Sequence, residues 1–207
     1  NRILENEKYN PADIVRQWNY IERITDFQGE QQHYQDFNDS RSHFYSKTEW
    51  EHGYPAATGI GTQFGGVLVD LNVVKPKKET FRYIPIDNEL QIAAHAYSQQ
   101  VLLGQEDEVF KQKTTPKFER AKVVVGEKKG IVYISGTAAI RGEQSLEGVG
   151  VLVQTGTTME NINFLISKEN LNKHGIYPED EPHIEMLRVY LKNPEDITAV
   201  KVYMEHL

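Results

Sequence analysis

The sequence contains no cysteine, so disulfides, thiolate metal sites and cysteine nucleophiles are excluded together. Long hydrophobic runs are missing too. The longest apolar stretches, such as 67–74, are strand-sized and interrupted by Asp70 and Asn72, well short of the ~20 residues a membrane helix needs. Neither a basic start nor an apolar stretch of signal-peptide length opens the chain, so a cytoplasmic protein with no membrane partner is expected. Positive charge is in deficit: 23 Lys and Arg face 30 Asp and Glu, a formal net charge of −7 with a pI near 5.5. A nucleic-acid-binding surface neutralises phosphates with clustered Lys and Arg, so no nucleic-acid partner is expected. His33, His43 and His52 lack the HxxxH or HExxH spacing that brings two imidazoles to one ion, and neither a metal nor another cofactor is expected.

What is present is the composition of an ordinary globular chain, 39% hydrophobic and 26% charged, with 207 residues for one large core or two small ones. Ile14 to Ile21 alternates apolar and polar residues as a strand does, and 33–45 places Tyr34, Phe37, Arg41 and Phe44 at helical spacing. The segment GYPAATGIGT at 53–62 reads as a tight Gly-x-Gly turn, whose small residues let a ligand approach main-chain N–H groups. A dinucleotide site is not expected there. The spacing from Gly59-Ile60-Gly61 to Gly65 is not GxGxxG, and 66–74 alternates as a strand rather than opening a helix.

In the second half, 121–125 and 131–135 are β-rich runs joined by Gly126-Glu127-Lys128-Lys129-Gly130, a hairpin. Residues 148–167 read as a long helix with Val149, Leu152, Val153, Ile162, Leu165 and Ile166 as its apolar positions. Residues 170–183 read as a loop and 184–191 as a strand, after which Asn193-Pro194 opens a last helix by N-cap and first-turn proline. Trp18 and Tyr20 are expected in the core, and the sequon Asn38-Asp39-Ser40 is read as a chance match. The fold class is α+β, with mixed sheets backed by helices.

Several segments together resemble one family: Trp18-Asn19-Tyr20-Ile21, Phe37-Asn38-Asp39-Ser40-Arg41, GYPAATGIGT, TPKFERAKVV at 115–124, Ser135-Gly136-Thr137-Ala138-Ala139-Ile140 and QTGTTMENINFLI at 154–166. From about Val15 to the end the chain is similar to the chorismatases, a branch of the RidA/YjgF superfamily. The resemblance implies two RidA/YjgF-like (chorismate-mutase-like) units: a partial one over 1–90, a connecting segment over 91–115, and a second over 116–207 that lacks its closing strand. The chain is thus expected to be incomplete at both ends. Trp18-Asn19-Tyr20-Ile21 in the first unit corresponds to Arg188-Val189-Tyr190-Leu191 in the second. A homotrimer or pseudo-trimer is implied as well, while the negative charge weighs against the ribonuclease label attached to L-PSP-like members of the superfamily.

The activity that the resemblance implies is cleavage of the enolpyruvyl ether of chorismate, or of a related small carboxylate, with release of pyruvate. A glutamate on the closing strand, beyond Leu207, would protonate the methylene, and the oxocarbenium ion would then be attacked. The enzyme would be a hydrolase or lyase. A substrate with two carboxylates calls for arginine in bidentate range, and the candidates are Arg41, Arg82, Arg120, Arg141 and Arg188. Arg188 is favoured because a charged head inside a strand must find a partner or a pocket. Of the family's Asn-x-x-Gln-x-x-Ala-Tyr-Arg-Tyr, this chain keeps Asn88, Gln91, Ala94 and Tyr97 but has His95-Ala96 in place of Tyr-Arg. His95 is a candidate acid near neutral pH, and Glu143 is a carboxylate near the expected pocket. The expected substrate-binding set is Thr58, Gly59, Gly61, Tyr97, Phe118, Gly136, Thr137, Ala138 and Arg188. The alternatives are a RidA-type enamine/imine deaminase, whose carboxylate-binding Arg would fall at Ala57 in the first unit, and a ligand-binding member without catalysis.

Overall fold

The computed structural model describes residues 2–75, 81–127 and 129–206. Lys128, in the expected hairpin turn, and Leu207 lie outside the described residues. In chain order the elements are α1 (Arg2–Asn6), β1 (Ile14–Glu22), β2 (Phe27–Gln28), β3 (Gln31–Gln32), α2 (His33–Tyr45), β4 (Ala56–Thr62), β5 (Val67–Val73) and β6 (Arg82–Ile86). They continue with β7 (Ala121–Val125), β8 (Gly130–Ile134), β9 (Ile140–Arg141), β10 (Gln144–Ser145), α3 (Val151–Ile166), α4 (Lys168–Lys173) and α5 (Ile197–Met204). This is a mixed α+β fold, with three-stranded sheets in the orders β4-β1-β5 and β6-β7-β8 and two short ribbons, β2-β3 and β9-β10.

In the first sheet β1 is central, parallel to β4 and antiparallel to β5, with Trp18 opposite Thr58 on one side and Asp70 on the other. Because side chains alternate along a strand, Arg16, Trp18 and Tyr20 share one face and Gln17, Asn19 and Ile21 the other. The second face meets α2: the Tyr45 hydroxyl donates to Gln17 Oε1 at 2.7 Å. The buried face of α2 is Gln35, Asn38, Arg41, Ser42 and Tyr45, so of the aromatic-rich stripe expected from the sequence only Arg41 is buried. A polar sheet face selects a polar helix face, since each buried amide needs a partner. Asn38 is buried and accepts from Arg41 Nη2 at 2.7 Å, which leaves no sequon for a glycan.

The second sheet has an apolar core. Ile86, Ala121 and Val123 pack with Leu165 of α3 and Leu171 of α4. The hairpin β7–β8 forms as its sequence indicates. Helix α3 starts at Val151, and of its expected apolar positions Ile162, Leu165 and Ile166 are buried while Leu152 and Val153 are exposed.

Four expectations need correction. The segment 53–62 is not a turn: Ala56–Thr62 is the strand β4, and neither Gly59 nor Gly61 has a positive φ. These glycines are small because other side chains lie over them. A Cβ at Gly61 would stand 2.8 Å from Ile24, and one at Gly59 3.2 Å from Tyr34. Second, 170–183 begins inside α4 rather than as a loop, because Ser167 caps that helix by accepting from the Asn170 N–H. Third, 184–191 is not a strand: it pairs with no other strand among the described residues and is largely exposed, and a strand exists only where a neighbour completes its ladder. Fourth, Trp18 and Tyr20 are only half-buried, because they face away from α2.

Candidate functional site

The segment Phe118-Glu119-Arg120-Ala121-Lys122 carries three buried ionisable side chains, Glu119, Arg120 and Lys122, in the last residues before β7 and its first turn of alternation. Each is committed differently. Glu119 accepts from the Tyr54 N–H at 2.9 Å and lies 3.2 Å from His95 Nε2. Lys122 donates to the Gly53 carbonyl at 2.9 Å, and burial pushes its ammonium down to about 8, partly opposed by Glu119. The strand therefore pins the loop at Gly53-Tyr54 from two directions. Gly53 has φ of 72°, and a Cβ there would meet Glu119 Oε1 at 2.8 Å.

Arg120 is the unusual member. It donates through Nε to the Ile92 carbonyl at 3.1 Å, through Nη2 to the same carbonyl, and through Nη2 to the Tyr97 hydroxyl at 2.7 Å. Its guanidinium lies over the rings of Tyr97 and Phe118 at 5.5 and 5.9 Å. It makes no ion pair among the described residues. Phe118 and Tyr97 pack with Ala57 and Ala94 into a small apolar cluster beside it. A buried guanidinium in an aromatic setting with no counter-charge is suited to a carboxylate ligand. His95, between Ile92 and Tyr97, has its pKa raised, first by the hydrogen bond to Glu119; its ring also sits 5.7 Å from that of Tyr54.

The expected substrate-binding residues divide among four places. Tyr97 and Phe118 adjoin Arg120. Thr58, Gly136 and Arg188 gather instead around Arg16: its Nη2 donates to the Thr58 hydroxyl, and a Cβ at Gly136 would stand 2.8 Å from Thr58 Cγ2. Arg188 is not inside a strand; it lies exposed, with its guanidinium 5.3 Å from the Trp18 ring centre. Gly59 and Gly61 sit under Tyr34 and Ile24. Thr137 donates to the Ser135 carbonyl at 3.0 Å, and the Ala138 carbonyl accepts from buried Asn161 of α3 at 3.1 Å. The β8 end is joined to β4 by Gly136 N–H to the Ala57 carbonyl and Ala57 N–H to Ser135 Oγ, both 2.9 Å.

Among the other candidates, Arg82 is exposed on β6, Arg41 is buried on α2, where it donates to Asn38, and Arg141 pairs with Glu160. Glu143 lies in the two-residue loop between β9 and β10, where it accepts from the Ser98 N–H at 2.8 Å and its hydroxyl at 2.7 Å. Those bonds lower its pKa, the backbone bond most, so it is held as a carboxylate rather than as an acid. His33, His43 and His52 are engaged separately: His33 with the Glu22 carbonyl at 3.2 Å, His43 with Asp107 at 2.8 Å, and His52 against the Tyr83 ring at 5.8 Å. The sequence reading missed Glu119, Lys122 and Arg16. The available signal was charge inside β-rich runs, at Glu119-Arg120-x-Lys122 and at Val15-Arg16-Gln17.

The chain is similar to several known proteins. Residues 2–71 match the family described as chorismatase FkbO/Hyg5-like, N-terminal. The chain is 28% identical over 202 residues to a 3-hydroxybenzoate synthase of Streptomyces hygroscopicus, covering 94% of this chain and 55% of that protein. It is 28% identical over 195 residues to a chorismatase of Streptomyces rapamycinicus, covering 91% and 54%. A crystal structure of a chorismatase superposes with a TM-score of 0.81 at 25% identity, over 99% of this chain and 58% of that one. The chain thus spans about half the length of the curated relatives it matches. The family model, the relatives and the shared fold together support a chorismatase-like family for this chain.

Proposed function

We propose that the protein cleaves the enolpyruvyl ether of chorismate or a close relative, releasing pyruvate, and that Arg120 holds a substrate carboxylate. The observation that carries this reading is a buried guanidinium, over two aromatic rings, that has no carboxylate partner among the described residues. Tyr97 orients that guanidinium through its hydroxyl, and His95, whose pKa is raised chiefly by its hydrogen bond to Glu119, lies on the same segment. In the reaction a proton adds to the methylene carbon and leaves an oxocarbenium ion. Water then adds, and the resulting hemiketal breaks its C–O bond to give pyruvate and the ring alcohol. The deaminase alternative is not favoured: Ala57, where its arginine would fall, is buried among Ala94 and Phe118.

The same proposal includes the RidA/YjgF relationship and a homotrimer or pseudo-trimer built on units at 1–90 and 116–207 joined by 91–115. The pairing of β6 with β7 supports moving the unit boundary ahead of Arg82, and the exposed Val67, Leu68 and Val69 of β5 support burial of that sheet against a neighbour. The test is pyruvate release from chorismate by the full-length protein. Arg120→Gln is expected to lower kcat/KM by about 10- to 150-fold, the worth of a charge-assisted hydrogen bond. Pyruvate no faster than the uncatalysed rate, or an Arg120→Gln enzyme of unchanged kcat/KM, overturns the reading.

A further inference from the structure

The outward face of β1 gathers a second set of cations. Arg16 is buried, with its guanidinium 4.3 Å from the Trp18 ring centre, and Arg188 comes to the same ring at 5.3 Å. Arg16 donates to the Gln17 carbonyl at 2.9 Å and to the Thr58 hydroxyl. Those acceptors are neutral and take up hydrogens without balancing the charge. Neither arginine makes an ion pair among the described residues, although Asp70 stands opposite Trp18 in the β1–β5 register. Beside them the Tyr20 and Tyr190 hydroxyls lie 3.1 Å apart.

Two guanidiniums brought to one indole repel each other, and burial of Arg16 removes water that would screen its charge, while Arg188 stays exposed. Burial is the main reason the Arg16 pKa falls, to about 10, and Arg188 lowers it further. An arrangement of this kind is unfavourable empty and favourable around an anion. Gly136 contributes by leaving room for the Thr58 side chain that steadies Arg16. The place is separate from Arg120, since Ala57 and Thr58 are consecutive on β4 and project from opposite faces.

We propose that Arg16 and Arg188, gathered on Trp18 with Thr58 and the Tyr20–Tyr190 pair, form a second carboxylate-binding site on the face of β4 away from Arg120. The carboxylate comes either from a small organic acid or from an Asp or Glu side chain of a second copy, and the chemistry of capture is the same.

The experiment follows the indole N–H resonances of Trp18 and Trp50 while benzoate replaces chloride at constant ionic strength. Trp18 is expected to shift to saturation, with Trp50 unmoved as the internal control. Arg188→Glu places a carboxylate of the protein's own beside Arg16, and is expected to weaken benzoate binding by roughly tenfold or more. Arg120→Gln is expected to leave the Trp18 titration unchanged, which separates this site from the proposed catalytic one. Sedimentation decides the source: self-association that benzoate disperses and Arg188→Glu abolishes assigns the carboxylate to a second copy. A Trp18 resonance unmoved by benzoate, without self-association sensitive to Arg188→Glu, overturns the proposal. So does a titration that Arg188→Glu leaves intact or Arg120→Gln removes.

Discussion

The two three-stranded sheets use their central strands in opposite ways. In β6-β7-β8 the middle strand sends Ala121 and Val123 into an apolar core closed by Leu165 and Leu171, while its charges, such as Lys122, turn to the other face and bond to a loop. In β4-β1-β5 the middle strand buries Arg16, Gln17 and Asn19, and the edge strand β5 exposes Val67, Leu68 and Val69. The second sheet is stabilised by area removed from water. The first also buries Ile14, Val15 and Ile21, and adds to them amide and hydroxyl pairs and a charge with no opposite charge beside it. The second sheet supplies an apolar core whereas the first mixes apolar and polar burial, and a guanidinium without an opposite charge beside it lies on β1 at Arg16 and immediately ahead of β7 at Arg120.

Four measurements would break or sharpen that contrast. Leu165→Ala removes a fully buried side chain from the apolar core and is expected to cost about 2–5 kcal/mol in denaturant unfolding. A loss below that range would mean that the second sheet is not the stabilising half. Gly53→Ala probes the loop that Glu119 and Lys122 pin; with φ of 72° and a contact of 2.8 Å to Glu119 Oε1, it is expected to cost about 1–3 kcal/mol.

Arg16→Met tests the opposite behaviour in the first sheet. Taking away a buried charge without a counter-ion while keeping apolar bulk is expected to be neutral or to raise the melting temperature. A marked destabilisation would show that the Thr58 and Gln17 hydrogen bonds outweigh the desolvation they accompany.

The smallest effect is one of pH. The folded-state pKa of His95 is raised above 6.5, chiefly by Glu119, so the folded state holds this proton more tightly than the unfolded chain. The stability it contributes is fully present below pH 6.5 and is lost as pH rises through the folded value. His95→Gln should therefore narrow its stability gap to the wild type as pH rises through that window. A gap that stays constant with pH would mean that the 3.2 Å contact to Glu119 carries no charge.

Much of the fold was legible where local pattern and tertiary packing agree. The strand at Ile14–Glu22 and the β-rich runs that form β7 and β8 are present, and the chain turns helical after Asn193 through a 3-10 turn at Pro194–Asp196 that leads into α5. The strand β4 was not legible, since glycine and alanine carry no periodicity and mimic a turn; only the position of Ile24 and Tyr34 explains them. The candidate site gathers only some of the residues that the sequence suggested. Tyr97 and Phe118 were placed by resemblance and do meet, at Arg120, whereas the favoured Arg188 stands on the other side of β4 with Arg16.

By itself the sequence determined the absence of thiol chemistry, the acidic balance, the strand and helix periods and the resemblance to chorismatases, because each of these is a property of composition or of neighbours along the chain. Only the tertiary structure decided which charges are paired. Whether Arg16, Arg120, Lys122 or Glu119 finds an opposite charge depends on residues 20 to 80 positions away, such as Gly53, Tyr54, Thr58 and Ile92. The energy of a buried charge is set by what the fold brings within a few ångströms of it, and no local pattern encodes that distance.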